Sequence, residues 1–555
     1  MNNNFTLFFL SYFIILTSTL GYGLLFSGIF EKRNNYNFGH IGLIGIFFLI
    51  LYSYFSNVFL AHSEIHNIIL LTIGLILFLL FFKKNFKNIK KEFLFVFIIF
   101  LLLFSSSLIF KNHDDFSYYH FPYTYYLTQQ SFYFGTGQFN HGFRTPSSIF
   151  YLNSLFFLPL VKYYLFNFSA IYILGFVNII LLKKIHSFFV TFNIKENFNK
   201  NINYITFLNL FIFIFINIFF YRIGEHGTDR SAQILIFLLV AIILEYFYFL
   251  NYKKIDLAFI YILLGLIFSL KSFYILYLVI LLPLFFFILD EKKKVIPTIN
   301  FFIKNKFFLI FTCMFCFVIG TYFINTGCLI YPVSFTCFEN LSWALSISET
   351  QRMNDWYELW SKAGANPNFR VSNPEEYISG LNWVSNWINN YFFNKISDFI
   401  FGLFFIILIF LAIFVRPKSY KNKLNLNKFT YLTFLILILL FIEWFYNHPA
   451  LRYGGYCLIA LILFIPTSIF LSIFKIEMKN FTNFVFVITL ITTFIFLGRN
   501  FYRINKEINF YNYMPLKLTF YEIDKHNFRI QNQMDKFEKN RIKIIYGKKV
   551  FTLNK

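Results

Sequence analysis

Acidic side chains are scarce in this chain. Asp and Glu number 26 among 555 residues, against 49 Lys and Arg, and charged residues of all kinds make up 14%. With 58% hydrophobic residues and a mean hydropathy of +0.61, a soluble protein of this length could not bury its apolar surface in one core. Short alternating apolar segments are missing, which excludes a membrane β-barrel. A glycine-rich loop in strand context and a P-loop are missing, which excludes the usual nucleotide cofactor chemistry. The net charge of +23 would suggest nucleic acid in a soluble protein, but no nucleic-acid motif is present. Cysteine is scarce, at five residues; Cys313 and Cys316 have CxxC spacing but lie in an apolar run without a nearby His or second pair, so no metal is expected. The N-terminus lacks a basic segment and a cleavage site, so the first apolar run reads as a retained span.

What is present is a series of nearly uncharged apolar runs, each about 17–22 residues long, the mark of an all-α polytopic membrane protein. Expected spans are 5–26, 38–59, 66–82, 93–110, 166–182, 203–220, 231–250, 255–270, 272–289, 307–324, 396–415, 429–446, 456–474 and 480–497. The total is about 12–14. The apolar stretch 149–161 is expected to be a short helix packed in one leaflet, not a crossing. Positive charge sits in short connectors: Lys83, Lys84, Lys87, Lys90 and Lys91 in one, Arg416, Lys418, Lys421, Lys423 and Lys428 in another. Such loops stay on the cytoplasmic side. The polar loops 111–148, 221–230, 325–395 and 447–455 then fall together on the outer side, with the C-terminal tail 499–555. The 89 Phe residues look like coding bias and carry no functional weight.

Loop 111–148 is the most informative stretch. It holds the acidic pair Asp114 and Asp115, His113, Tyr119, His120, His141 and Arg144 between long apolar runs. A carboxylate at the membrane surface can take a proton from an acceptor hydroxyl. Cationic groups at the same face, here Arg144, Lys271 and Arg452, can hold a phosphate and stabilise it as it leaves. His113, Tyr119, His120 and His141 are the polar groups of this loop available to an acceptor. Cys328 and Cys337 lie in one outer loop, where a disulfide is plausible in an oxidising compartment.

The ordered set of motifs resembles the GT-C superfamily of integral-membrane glycosyltransferases, in its bacterial cell-envelope form. It comprises His113-Asp114-Asp115, Tyr119-His120, the turn 135–144, Thr228-Asp229, Gly265-Leu266 with Lys271, the region 327–338 followed by Trp343, and Pro449 with Arg452-Tyr453-Gly454. The match covers about residues 93–455. Ala450 and Leu451 stand where the pattern has an acidic residue before the late arginine. The resemblance implies transfer of a sugar from a polyprenyl-phosphate carrier to an acceptor hydroxyl of a glycan, lipid or protein at the outer face of a bacterial plasma membrane. Asp114 would be the base, with Asp115 second; Asp229 would shape the acceptor site, and Lys271 and Arg452 would bind the carrier phosphate. It implies no metal or other cofactor. A polysaccharide polymerase or ligase and a lipid-linked glycan transporter are the competing readings; scarce mid-span charge weighs against the transporter.

Overall fold

In the computed structural model the described residues are 3–30, 36–109, 115–194, 204–225, 227–249, 255–365, 371–415, 426–474, 476, 478–511, 542–545 and 548–551. Among the described residues ten helices are long and apolar enough to cross a membrane, and three shorter apolar helices, Tyr204–Phe219, Leu257–Leu270 and Gly455–Leu471, lie among them. The protein is an all-α polytopic membrane protein. Its strands among the described residues are a short hairpin in the tail, Ile542–Ile545 against Lys548–Phe551.

The basic connector 83–91 marks a change of direction, although residues Glu64–Leu103 are helical throughout. The rings of Phe78 and Phe93 are 5.2 Å apart. In a straight helix, fifteen residues would separate them by about 22 Å. The helix therefore folds back on itself at the lysines, giving two apolar arms. Four helices that start at this basic end begin on side-chain caps: Asn37, Asp256, Asn305 and Asn427 each accept a backbone N–H of the first turn. Glycines let the first three arms touch. A Cβ on Gly21 would lie 1.9 Å from the Gly74 carbonyl oxygen, and one on Gly45 would lie 2.1 Å from that of Thr19. Deeper in the bundle, Asn178 and Asn217 exchange hydrogen bonds of 2.9 and 2.8 Å between two helices.

Most expected spans stand where the apolar pattern put them. The stretch 149–161 is a short buried helix, Ser148–Ser154, followed by turns, and the crossing comes next at Phe168–Ile194. Three features differ. The last helix runs Met478–Tyr511, so residues 499–511 belong to it and not to a tail; Arg503 is buried there because it finds a buried carboxylate. The helix Val295–Ile303 was not foreseen; its exposed Val295, Ile296, Ile299 and Ile303 form the apolar stripe of an interfacial helix. The span after Lys271 is not uniformly α-helical. Residues Ser272–Ile280 form a tight 3₁₀ helix before the α-helix Leu281–Lys292.

Candidate functional site

The polar loops converge at the end of the bundle opposite the lysine turn. Arg452 is the hub. Its Nη2 is 3.0 Å from Asp115 Oδ2 and its Nε is 3.1 Å from Asp229 Oδ2. Lys271 Nζ is 3.3 Å from the other oxygen of Asp229. Two carboxylates and two cations thus meet from four segments more than a hundred residues apart at the extremes. Burial opposes the Arg452 charge, but Asp229, Tyr453 and Asp115 outweigh it and raise its pKa well above the ordinary range. The cluster remains partly open, with Arg452 and Asp115 side chains 29% and 25% exposed.

Local structure explains this placement. Asp115 immediately precedes the wide helical turn Phe116–His120. Asp229 sits in the first turn of Gly227–Phe249, where the helix dipole favours an anion. Lys271 is extended, φ −155°, between Leu257–Leu270 and the 3₁₀ helix. The Arg452 loop is pinned along its backbone. Trp387 Nε1 donates to Pro449 O and Trp444 Nε1 to Ala450 O, both at 2.9 Å. Leu451 N donates to Tyr391 Oη at 2.9 Å. Gln233 Nε2 and Tyr274 Oη donate to Arg452 O at 3.1 and 3.2 Å. Gly454 then turns the chain at φ +110°, where a Cβ would also lie 2.5 Å from Tyr277 Oη.

This pinning corrects what the sequence suggested about the missing acidic neighbour. Ala450 and Leu451 are buried and held by aromatic donors and acceptors. The carboxylates reach Arg452 from other helices, so an arginine–carboxylate clamp exists without an acid beside it in sequence.

Not every expected site residue joins the cluster. Arg144 is committed elsewhere: its Nη2 meets Glu349 at 2.9 Å, its Nη1 donates to Tyr331 Oη at 2.8 Å, and its Nε donates to Gly137 O at 3.1 Å. It ties loop 111–148 to the segment after the Cys328–Cys337 disulfide. Thr136 Oγ1 to Asn325 Oδ1, at 2.7 Å, and Gln138 Nε2 to Trp343 O, at 2.7 Å, strengthen the same seam. The donors of Arg144 meet these protein groups, so it stands apart from the Arg452 cluster. His113 and Asp114 lie outside the described residues.

Tyr119 and His120 stand at the edge of the cluster. Tyr119 packs against Gly142, where a Cβ would come within 2.2 Å of its ring. His120 is buried between Tyr119 and Phe150, with ring centroids 4.4 and 4.9 Å away. Burial pushes its pKa down to about 3, so the imidazole is neutral at physiological pH. Tyr118 Oη and His141 Nδ1 are 2.9 Å apart on the more open side. Among the described residues no three His, Cys, Asp or Glu side chains gather as metal ligands.

Sequence reading missed Gln233, Trp360 and the Glu225–Arg503 pair. Gln233 was detectable as a lone amide in an apolar run. Trp360, whose ring lies 5.6 Å from the Arg452 guanidinium carbon, carried no local signal.

A family model described as a domain of unknown function (DUF8201) matches residues 6–459. No curated protein and no solved structure matches the chain.

Proposed function

The chain belongs to the DUF8201 family, and we propose that it is a membrane-embedded glycosyltransferase acting on a polyprenyl-phosphate-linked sugar at the outer face of a bacterial plasma membrane. The observation that carries this reading is the Asp115–Arg452–Asp229–Lys271 cluster, partly open and poised at the loop end of the spans. Its charges balance when empty. A carrier phosphate would displace Asp115 from Arg452 and bind Arg452 and Lys271 through charge-assisted hydrogen bonds, while the buried Asp229 stays against both cations. Asp115, released from Arg452, would be placed to accept the hydroxyl proton of the acceptor.

The step balances simply. The acceptor oxygen attacks the anomeric carbon, a new C–O glycosidic bond forms, and the bond from that carbon to the phosphate oxygen breaks. The hydroxyl proton passes to the carboxylate, and polyprenyl phosphate leaves with the bond electrons, its charge stabilised by the two cations. Asp229 acts as the positioning residue, because it faces both cations. No metal enters this scheme.

A nanodisc assay with radiolabelled polyprenyl-phosphate sugars tests it. Wild-type protein should transfer label to a glycan, lipid or protein acceptor, and Asp115→Asn should not. Asp114→Asn separates the adjacent acid. Wild-type turnover in both variants would remove the acidic loop from the chemistry.

A further inference from the structure

Beyond the ionic cluster, an aromatic strip climbs from Arg452 along the helix Ile347–Lys362. Tyr453 and Trp360 both lie against the Arg452 guanidinium, each with its ring centre 5.6 Å from the guanidinium carbon. Trp360 is 6.0 Å from Tyr453 and 6.3 Å from Trp356, one helical turn away and nearly parallel to it at 24°. Trp356 in turn lies 6.2 Å from His141, which meets Tyr118. The row is most open at Trp356, 38% exposed, and at Tyr118, 49% exposed, the latter one helical turn from Asp115.

Rings of this size are normally buried for their apolar area. Here Trp356 and Tyr118 stay exposed, in a row with the half-buried Trp360, Tyr453 and His141 that starts at the charged cluster. The row offers apolar ring faces at Trp360 and Trp356 and polar edges at the His141 imidazole and the Tyr118 hydroxyl. A sugar offers the complement, with C–H faces that stack on rings and hydroxyls that reach the edges. An acyl chain has no use for the polar edges. The strip also stands on the loop 325–395, which is tied to loop 111–148 by Arg144 and Glu349, so the row is held in place rather than tethered.

We infer that the strip Tyr453, Trp360, Trp356, His141 and Tyr118 binds the acceptor as an oligosaccharide, with its reactive end at Asp115 and its further sugars along the ring row. This rests on the transferase reading and narrows its acceptor to a glycan. Trp356 binds sugar away from the reacting atoms, Tyr118 stands one helical turn from Asp115, and neither takes part in the chemistry.

Saturation-transfer NMR on the full chain in nanodiscs tests the inference, with chitotetraose, cellotetraose, maltotetraose and mannotetraose as probes and a neutral pentapeptide and a lysolipid as comparisons. At least one tetrasaccharide should bind through its C–H protons. Trp356→Ala and Tyr118→Ala should each weaken it by roughly tenfold, and Trp356→Phe, which keeps a ring face, should retain most of the binding. Failure of every tetrasaccharide, equal binding by Trp356→Ala, or stronger competition by the peptide or lysolipid would overturn the assignment. Sugar binding without transfer would leave the strip standing and remove the transferase reading. Transfer with an acceptor KM unchanged by Trp356→Ala would do the reverse.

Discussion

Two arginines at the same end of the bundle meet carboxylates in opposite ways. Arg452 is partly open, and its partners Asp115 and Asp229 come from separate segments. Arg503 is sealed: its side chain is 8% exposed and that of its partner Glu225 is 2% exposed, with Nη1 to Oε1 at 3.1 Å. Glu225 also pairs with Arg222, and Arg503 Nη2 donates to Leu108 O at 3.4 Å, locking the last helix to the segment that enters the acidic loop. The chemistry of the two pairs is identical. Solvent access decides whether an ion pair can be exchanged for a ligand or serves only as a bolt. A buried pair cannot release one partner without stranding the other charge, whereas an open pair surrenders its partner to an incoming phosphate at little cost.

The contrast is sharpest in turnover against stability. Asp115→Asn should lower turnover by about 10²–10⁴-fold while the denaturant midpoint in nanodiscs stays at the wild-type value. Equal loss of both would make Asp115 another bolt. Glu225→Gln should behave in the opposite sense. Leaving Arg503 buried without its carboxylate costs about 3–5 kcal/mol, read as a lowered unfolding midpoint, with turnover per folded molecule retained. A Glu225→Gln protein as stable as wild type would erase the distinction.

Lys271→Ala removes a cation from the open cluster alone. It should weaken donor binding by roughly 1.5–3 kcal/mol, raising the donor concentration for half-maximal rate while the saturated rate changes little. A change confined to the saturated rate would place Lys271 in the chemical step instead.

The smallest effect concerns His120. Its folded pKa lies near 3, below the ordinary value of 6.5. Between those values the unfolded chain binds a proton that the folded chain does not. Stability should therefore fall as pH drops from 6.5 toward 3. His120→Gln should show a shallower slope over that window in a pH series of unfolding midpoints; an unchanged slope would mean that His120 is not held neutral by burial.

Much of this molecule was legible before any fold was known. Apolar run length reports spans because every backbone polar group in lipid must be satisfied within a helix, and among the described residues the expected runs become ten helices long enough to cross and three shorter apolar ones. Lysine-rich connectors mark turns because charge cannot be left in hydrocarbon, even where residues Glu64–Leu103 stay helical through the bend. Asp115, Asp229, Lys271 and Arg452 were readable as scarce charges in polar loops. What they touch was not. Whether Arg144 or Arg452 faces an open cluster depends on Glu349 and Asp229, which lie 205 and 223 positions away. The boundary of the last helix failed for the same reason. Arg503 reads as a tail residue until Glu225, from another loop, supplies the buried carboxylate that keeps it helical and enclosed. Composition and period set the arms and their ends, because those depend on lipid and on neighbours a few residues away. Only tertiary packing decided which charges became a candidate site and which a lock, because burial and partner choice are properties of segments that meet in space.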